Sequence, residues 1–227
     1  MKHIVILTGA GVSAESGLKT FRDSDGLWNG YDVYEVASPE GWKKNPALVL
    51  NFYNQRRKEV AKSQPNDAHK IIAQLQDHFK VTIITQNIDD LHERAGSADV
   101  LHLHGEIFKM RSENDDQSFY EIKDDILLNE KAPDGHQLRP HVVWFGEQVP
   151  MIIKAKEIME EADVFILVGT SLQVYPASGL IDFLPTGIPK YIIDKNPPAI
   201  APHHNFHVIE KPATEGMKVV KEFLLKN

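Results

Sequence analysis

Four short apolar stretches, each ending in a cluster of glycine or polar residues, restrict the possible folds of this chain more than any other feature. They cover residues 3–8, 80–85, 163–168 and 190–193. Near-continuous apolar stretches of this length are typical of strands in a parallel sheet that is covered on both faces. Helical patterns lie between or after them, at residues 66–78, 152–162 and 217–225. The alternation predicts an α/β fold with a Rossmann-like, doubly wound parallel sheet, in which ligands bind beyond the carboxyl ends of the strands.

Two regions break this alternation and predict a smaller inserted lobe. Residues from about 28 to 64 read as loop and helix without a strand, and residues from about 109 to 139 are polar and rich in Asp, Glu, Asn and Gly. The remaining residues, about 1–27, 65–108 and 140–227, would form the large lobe. We therefore expect a single domain with two lobes.

Charge and composition exclude several classes of protein. The net charge is −7 and no run of Lys or Arg stands out, which argues against direct nucleic-acid binding. No apolar run is long enough to span a bilayer, and the first residues lead directly into a strand pattern, so we expect a cytoplasmic protein without a signal peptide or membrane contact. The chain contains no cysteine, which excludes disulfides, thiol nucleophiles and thiolate metal ligands.

A glycine-rich turn follows the first strand pattern. Gly9-Ala10-Gly11-Val12-Ser13-Ala14 matches the dinucleotide-binding pattern, in which the first Gly allows a tight turn and the second lets the backbone approach a pyrophosphate. Ala14 would let the following helix pack closely against the sheet. The pattern alone fits an ordinary strand–helix turn equally well. Gln86-Asn87-Ile88-Asp89-Asp90, after the second strand, is denser in polar groups than a dehydrogenase needs for its ribose, which disfavours that class.

Several motifs in a fixed order resemble the signatures of the sirtuins, the NAD-dependent protein-lysine deacylases. They are Gly9-Ala10-Gly11-Val12-Ser13-Ala14-Glu15-Ser16-Gly17 with Thr20-Phe21-Arg22, Gln86-Asn87-Ile88-Asp89, Leu103-His104-Gly105, Val143-Trp144-Phe145-Gly146-Glu147 and Gly169-Thr170-Ser171. The resemblance implies NAD as co-substrate and acylated lysines of proteins as substrates. The products would be nicotinamide, O-acyl-ADP-ribose and free lysine. We expect the protein to be a monomer.

The resemblance also implies a catalytic group. His104 would be the general base, a role that suits histidine near neutral pH. Asn87 would order the ribose and a water, and Asp89 would hold the nicotinamide carboxamide. Asn87 or Asp89 could also cap the next helix, and the two roles can coexist. His102 points the same way as His104 if this segment is a strand, and we interpret it as a hydrogen-bonded structural residue.

The expected NAD contacts come from the ends of several strands. The resemblance assigns Phe21 as a lid over the nicotinamide pocket, Arg22 as a cation near the phosphates and Gln86 as a partner of a ribose hydroxyl. Ser171 and Asn196 would serve the phosphate and the adenosine ribose. The full expected set is Gly9, Ala10, Gly11, Ala14, Glu15, Thr20, Phe21, Arg22, Gln86, Asn87, Ile88, Asp89, Gly169, Thr170, Ser171, Asn196 and Ala213.

Val143-Trp144-Phe145-Gly146-Glu147 is expected to offer an open strand edge to the substrate. A peptide could add there through backbone hydrogen bonds, which would read the lysine and tolerate varied neighbours. Val174 would supply the opposing edge. The side of the site that binds the peptide would thus consist of Val143, Phe145, Gly146, Glu147 and Val174.

Tyr53 and Arg56 point to the acyl group. They lie on a helix that begins at Asn45-Pro46, and Arg56 falls within its apolar stripe, where a guanidinium needs an anion or a route to water. Tyr-x-x-Arg resembles the sirtuin subgroup that removes succinyl, malonyl and glutaryl groups, with acetyl as a further substrate. The alternative is a structural ion pair between Arg56 and a nearby acid. Arg57 and Lys58 are expected to lie on the solvated face.

Most sirtuins carry four zinc-binding cysteines after the catalytic His-Gly, whereas residues 109–139 contain none. Ser112 stands where the first thiolate is expected. His136 and the nearby aspartates Asp115, Asp116, Asp124 and Asp125 have a spacing that does not suit a tetrahedral site. We therefore expect no metal in this lobe. Apolar contacts would hold it together, from Phe119, Tyr120, Ile122, Ile126, Leu127 and Leu128.

Two other functions remain to be weighed. A sirtuin-like ADP-ribosyltransferase or NAD hydrolase is disfavoured because Phe145-Gly146-Glu147 retains the substrate motif. A non-catalytic NAD-binding regulator is disfavoured because His104, Asn87 and Asp89 are all present.

Overall fold

A computed structural model describes residues 1–19, 27–28 and 30–226 of the chain, with Leu27 described by its backbone alone. In those ranges the strands are β1 (His3–Thr8), β2 (Leu27–Trp28), β3 (Tyr31–Asp32), β4 (Lys80–Thr85), β5 (Val100–His102), β6 (Gly105–Ser112), β7 (Phe119–Glu121), β8 (Leu138–Val142), β9 (Val164–Val168), β10 (Lys190–Ile193) and β11 (His207–Ile209). The α-helices are α1 (Gly11–Ala14), α2 (Val33–Val36), α3 (Pro39–Lys44), α4 (Pro46–Lys62), α5 (Asp67–Gln74), α6 (Leu91–Arg94), α7 (Ile152–Glu160) and α8 (Ala213–Lys226). Short 3-10 helices cover Leu75–Asp77, Ala177–Phe183 and Pro202–His204.

The large lobe contains a parallel sheet with the strand order β11-β10-β9-β1-β4-β5. The central strand β1 is buried along its whole length and pairs with β4 on one side and β9 on the other. The sheet extends from β1 through β4 and β5 on one side and through β9, β10 and β11 on the other, which confirms the predicted doubly wound α/β fold. The four predicted strands are present, and β5 and β11 extend the sheet at its two edges.

Alternate residues of the central strand face two separate cores, as the two-residue period of a strand requires. Ile4 and Ile6 pack with Ile72 and Met217 from α5 and α8. On the other face, Val5 and Leu7 belong to the core that contains α7. The helices on both faces bury the sheet and leave its carboxyl edge for polar loops.

The small lobe combines an antiparallel sheet with helices from the other excursion. Its strand order is β7-β6-β8, and its core includes Trp28, Phe52, Ile107 and Trp144. The expectation of no strand in the first excursion was wrong, because β2 and β3 form a short antiparallel pair there. The division of the domain into two lobes at the stated boundaries stays a prediction.

The expected apolar contacts of this lobe were largely wrong. Ile126 is buried and Ile122 packs against the core, but the other four side chains are exposed: Phe119, Tyr120, Leu127 and Leu128. The physical reason for Phe119 and Tyr120 is that β7 is an edge strand, exposed at all three of its residues, whereas Leu127 and Leu128 lie in a loop and turn that follow it. Phe119 instead stacks against the ring of His141, at 4.9 Å between centroids. No helix in the described ranges is long and apolar enough to cross a membrane.

Candidate active site

The loops that follow β1, β4 and β9 meet at the carboxyl edge of the sheet and are joined by backbone hydrogen bonds. The N–H of Gly9 donates to the carbonyl of Val168 at 3.1 Å, and that of Gly11 donates to Gly169 at 2.8 Å. On the other side, the N–H of Gln86 donates to Thr8 at 2.9 Å. The polar clusters singled out in the sequence therefore lie side by side.

The glycines of the first turn are required by the neighbouring loop. A Cβ atom built on Gly11 would lie 2.7 Å from the Cα atom of Gly169, and one built on Gly9 would lie 2.7 Å from the Cβ atom of Thr170. Gly169 itself has φ +63°, in the left-handed region that favours glycine. The sequence assigned Gly9 to a tight turn and Gly11 to the approach of a pyrophosphate, and the structure adds that both are needed for the close approach of two loops. The pyrophosphate contact stays a prediction.

The expectation that Ala14 lets the following helix pack closely against the sheet was wrong, and its assignment as an NAD contact stays a prediction. Ala14 is exposed, and the residues that α1 turns towards the core are Val12 and Ser13. The reason is that α1 is a single turn of four residues, so there is no long helix to pack against the sheet.

Ser13 joins two of the predicted catalytic residues, and it was missed by the sequence interpretation. Its buried hydroxyl donates to Asp89 Oδ2 at 3.0 Å and lies 3.2 Å from Asn87 Nδ2, which donates to it. Asn87 Nδ2 also lies 3.2 Å from the carbonyl of Gly9. His69 Nε2 is a further neighbour, 3.4 Å from the hydroxyl. A serine inside an apolar strand–turn segment was the available signal, because a buried hydroxyl needs partners.

One carboxylate oxygen of Asp89 caps the next helix, whereas the side chain of Asn87 takes no part in capping. Asp89 Oδ1 accepts a hydrogen bond from the N–H of Leu91 at 3.2 Å, at the beginning of α6. The side chain of Asn87 points back to the glycine-rich turn instead. Burial raises the pKa of Asp89 despite the hydrogen bonds from Leu91 and Ser13 that favour its carboxylate.

His102 and His104 make the same backbone contact and differ in charge. His104 Nδ1 lies 3.0 Å from the carbonyl of Gln86, and His102 Nδ1 lies 2.9 Å from the carbonyl of Asn87. A carbonyl only accepts, so both Nδ1 atoms carry a proton. Burial lowers the pKa of His104, which keeps the ring neutral and leaves the lone pair on Nε2.

His102 is held as a cation. Its Nε2 atom lies 2.7 Å from a carboxylate oxygen of Glu93. Burial opposes the charge on His102, but the Glu93 carboxylate outweighs it and raises the pKa of His102. With both ring nitrogens engaged, His102 has the hydrogen bonds expected of a structural histidine.

The remaining expected NAD contacts are spread around the same edge. Gln86 Nε2 donates to the hydroxyl of Thr170 at 3.0 Å. Asn196 is exposed in the turn after β10, and Ala213 is buried at the beginning of α8. Glu15 binds that end of the helix, because its carboxylate accepts a 2.6 Å hydrogen bond from the hydroxyl of Thr214.

Ala10 and Ser171 are half-buried in the turns after β1 and β9, as is Ile88 after β4. Thr20, Phe21 and Arg22 lie outside the described residues.

The expected open strand edge is absent at residues 143–147, which form a loop and turn after β8. The N–H of Val143 donates to His104 at 2.9 Å, and the N–H of Phe145 donates to Ala37 at 2.9 Å. Val174, which was expected to supply the opposing edge, also lies in a loop, and its carbonyl accepts from the N–H of Ser178. These backbone groups are already used within the fold.

Glu147 is occupied as well. Its carboxylate binds the guanidinium of Arg139 at 2.7 Å and accepts from the N–H of Trp144 at 2.8 Å. Gly146, between these residues, has φ +90° and lies in the tight turn that brings the carboxylate back to Trp144. The contribution of Glu147 to this region is therefore to fix the turn.

Tyr53 and Arg56 both lie on the buried side of α4, which begins as expected with Asn45 as its cap. The hydroxyl of Tyr53 accepts from Trp144 Nε1 at 3.1 Å. Because an indole can only donate, Tyr53 keeps its own O–H for a further acceptor. Burial raises the pKa of Tyr53 well above its ordinary value, so the hydroxyl stays protonated.

Arg56 has two hydrogen bonds in the described structure. Its Nη1 donates to Glu59 at 3.2 Å and its Nη2 donates to the carbonyl of Lys19 at 3.1 Å. The ion pair with Glu59 corresponds to the alternative interpretation of Arg56 as part of a structural ion pair. The Nε atom of Arg56 is buried and has no partner in the described part of the chain.

Arg57 does not lie on the solvated face, contrary to expectation. It is almost fully buried, with Nε donating to the carbonyl of Ile107 at 2.9 Å. Its Nη1 donates to Asn54 at 2.8 Å and to the carbonyl of Asp124 at 3.1 Å. The guanidinium thus joins α4 to two segments of the small lobe, and burial lowers the pKa of Arg57 to about 10.

Polar contacts occupy the region where the family pattern places zinc-binding cysteines. The hydroxyl of Ser112 donates to Asp134 at 2.6 Å, and Trp42 Nε1 donates to Glu113 at 2.9 Å. Buried Gln137 donates to the carbonyls of Leu127 and Leu138 and accepts from Asn129. Among the described residues, no three His, Asp or Glu side chains are grouped so as to hold a metal ion.

Comparisons with known proteins agree with one another. The model of the Sir2 family matches residues 9–176. An NAD-dependent protein deacylase of Bacteroides thetaiotaomicron is 49% identical over 231 residues, covering 99% of this chain and 99% of that protein. A protein of the same name from Helicobacter pylori is 51% identical over 218 residues, covering 96% of this chain and 95% of that protein.

Solved structures give the same result. The crystal structure of a Sir2 homolog–NAD complex has a TM-score of 0.89 and 39% identity, covering 99% of this chain and 90% of that one. A Sir2 structure in complex with an inhibitor, 2′-O-acetyl-ADP-ribose and a deacetylated p53 peptide has a TM-score of 0.80 and 26% identity, covering 99% of this chain and 94% of that one.

Proposed function

The chain belongs to the Sir2 family and is an NAD-dependent protein deacylase, and from this premise we propose that it acts preferentially on lysines that carry acidic acyl groups. Succinyl and malonyl groups are the preferred substrates, and acetyl is a poorer one. The observation that carries the preference is that Arg56 and Tyr53, one turn apart on α4, are both buried on the same side of the helix.

His104 is assigned as the general base. NAD supplies the ribose that takes up the acyl group, and a ribose hydroxyl must lose its proton when it attacks the acyl carbon. Nε2 of His104 is suited to accept that proton, because Nδ1 already donates to Gln86 and burial keeps the ring neutral. Asn87 and Asp89 are assigned to orient the ribose and the nicotinamide carboxamide, held by Ser13.

Arg56 and Tyr53 are assigned to the far carboxylate of the acyl group. A guanidinium offers paired N–H groups that match both oxygens of a carboxylate, which a neutral acetyl group lacks. Within the described ranges the Nε–H of Arg56 has no partner, and the O–H of Tyr53 is not used by its contact with Trp144.

We extend the proposal to the small lobe, which needs no zinc. The support is that Ser112, Glu113 and Gln137 already have hydrogen-bond partners in the region where cysteines would be expected. The hydrogen-bonding groups of these three side chains are therefore satisfied by protein atoms and do not require a metal ion.

A panel of lysine peptides tests the proposed function. The purified protein would be incubated with NAD and peptides identical except for an acetyl, succinyl, malonyl or glutaryl group. Deacylated peptide and O-acyl-ADP-ribose should appear in equal amounts, with higher kcat/KM for succinyl than for acetyl. Equal or better turnover of acetyl would refute the preference. Nicotinamide release without deacylated peptide would favour an NAD hydrolase instead.

A further inference from the structure

Arg56 is paired with the carboxylate of Glu59 on its own helix, and the two side chains differ in their exposure to solvent. Arg56 Nη1 and Glu59 Oε2 are 3.2 Å apart, but the side chain of Arg56 is 9% exposed and that of Glu59 is 44% exposed. The carboxylate of Glu59 therefore lies at the solvated rim, and the guanidinium of Arg56 lies in the interior. Arg56 is held there, because its Nη2 donates to the carbonyl of Lys19 and its guanidinium lies 5.8 Å from the ring of Trp28.

The contact with Glu59 uses only one nitrogen of the Arg56 guanidinium. Only Nη1 donates to Glu59, whereas a guanidinium can bind a carboxylate through two parallel N–H groups. The Nε–H of Arg56 is buried and has no partner in the described ranges. A carboxylate that approached Arg56 from the buried side could therefore accept two hydrogen bonds, whereas Glu59 accepts one from the solvated side.

We propose that Glu59 is a specificity-determining residue that competes with the acyl carboxylate for Arg56. This inference rests on the proposed acidic-acyl preference. Without substrate, Glu59 neutralises the buried cation. When a succinyl or malonyl group enters, its carboxylate takes over Arg56, and Glu59 turns outward and remains as a nearby negative charge. Glu59 thus weakens the binding of acidic acyl groups and leaves acetyl groups, which carry no charge, unaffected.

Glu59→Gln tests this competition. The variant keeps the shape of the side chain and removes its charge, so the KM for succinyl-peptide should fall on the order of two- to fivefold, the range expected for one partly exposed charge pair. The KM for acetyl-peptide and both kcat values should not change. Since the effect is electrostatic, the difference between the variant and the wild type should shrink at high salt.

Asp125→Asn provides the matched control. Among the described residues, Asp125 forms its ion pair with Lys58, the neighbour of Glu59 on the same helix, at 2.8 Å, whereas Arg56 is paired with Glu59. This variant removes the same unit of charge and should leave the KM for succinyl-peptide as it is. A thermal unfolding curve for each variant establishes that it is folded.

The outcomes separate the two proposals. A rise in the KM for succinyl-peptide in Glu59→Gln would mean that Glu59 positions Arg56, which overturns the competition. An unchanged KM would overturn it as well. The acidic-acyl preference is tested separately by Arg56→Met, which should lose succinyl turnover whatever the result at position 59.

Discussion

His104 Nδ1 lies 3.0 Å from the carbonyl oxygen of Gln86, and this contact fixes which nitrogen of the ring can act as a base. The proton sits on Nδ1 because the carbonyl can only accept, so the lone pair is on Nε2. Two residues earlier, His102 makes the equivalent contact with Asn87 but is paired with Glu93. The same backbone loop therefore holds one neutral and one cationic imidazole.

The pH dependence of deacylation should report His104. Burial lowers its pKa below the ordinary 6.5, and the base works only when deprotonated. We expect kcat/KM to fall on acidification with an inflection below pH 6.5, measured with acetyl-peptide to avoid titration of the acyl group. His104→Ala should lower kcat by about 10²- to 10⁴-fold and retain NAD binding. An inflection above the ordinary histidine value would contradict the assignment.

Acid should also destabilise the fold through buried histidines. Burial lowers the pKa of His69 and of His141 to about 4, from 6.5. Between these values the two histidines bind more protons in the unfolded chain than in the folded one, so their contribution to the free energy of unfolding decreases as pH falls from 6.5 towards 4. Urea unfolding at pH 7 and pH 5 measures this. His69→Gln should reduce the pH effect, and His136→Gln, at an exposed site, should not.

His102 should change the free energy of unfolding with pH in the direction opposite to that of His69 and His141. Its raised pKa gives a stability contribution that is present below the unfolded value of 6.5 and is lost as pH rises through the folded value. Glu93→Gln removes the ion pair and should abolish this contribution. The acid limb of kcat/KM should not move in this variant, because it belongs to His104.

Arg56→Met should separate the acyl groups. The substitution removes the charge that an acidic acyl group would bind, so kcat/KM for succinyl-peptide should fall about 10- to 100-fold, as expected for a charge-assisted hydrogen bond. Turnover of acetyl-peptide should be retained or rise. If both activities fell in parallel in a folded variant, Arg56 would not determine selectivity.

Arg57→Met should have a different effect. It leaves the carbonyls of Ile107 and Asp124 and the side chain of Asn54 without their donor, so we expect a loss of about 3 kcal/mol in the free energy of unfolding. Activity towards succinyl and acetyl peptides should fall together as the folded fraction decreases. Denaturant unfolding beside the two peptide assays distinguishes this from the effect at position 56.

Gly11→Ala should damage the NAD end of the sheet. The added Cβ would lie 2.7 Å from the Cα atom of Gly169, so the loops after β1 and β9 must separate. We expect a loss of about 1–3 kcal/mol in stability, as for overpacking, and a weaker Kd for NAD. Gly179→Ala is the control, since its nearest contact would be an ordinary 3.9 Å. Equal effects of the two substitutions would argue against the loop contact.

Gln137→Ala tests how the small lobe is held. Gln137 is buried and makes hydrogen bonds to Leu127, Leu138 and Asn129, so its loss should cost about 2 kcal/mol in unfolding free energy. Gln117→Ala, at an exposed position, should cost little. A metal chelator should leave the Tm of the wild type as it is. Stoichiometric zinc in the purified protein would refute a metal-free lobe.

The parts of the fold that depend on long apolar stretches could be predicted from the sequence. Strands β1, β4, β9 and β10 and helices α5 and α7 lie within a few residues of their predicted bounds. Strands β7 and β11 have three residues each, and all of these except Ile209 are exposed, so the two strands lack the apolar pattern that identifies a buried strand.

The sequence predicted where the residues of the candidate site lie in the fold, but it did not predict which neighbours their side chains contact. Gln86, Asn87 and Thr170 come together because the carboxyl ends of parallel strands share one edge of the sheet. Which neighbour each side chain binds depends on contacts across the chain. No local pattern indicates that Gly11 approaches Gly169, or that Glu147 binds Arg139.

Arg57 shows a further limit of sequence patterns. At 100° per residue, Arg56 and Arg57 are neighbours on the helix, and periodicity gives no reason to bury both. The burial of Arg57 comes from Ile107 and Asp124, which lie 50 and 67 residues away in sequence. Only the tertiary fold supplies those carbonyls.

These two adjacent arginines have consequences for how such a protein can diversify. Arg57 joins three segments through backbone carbonyls and an amide, and a replacement there would disturb the lobe whatever the substrate. Arg56, on the proposed function, contacts the variable part of the substrate. A lineage could therefore exchange residue 56, and residue 59 beside it, to gain new acyl groups, while residue 57 remains arginine throughout.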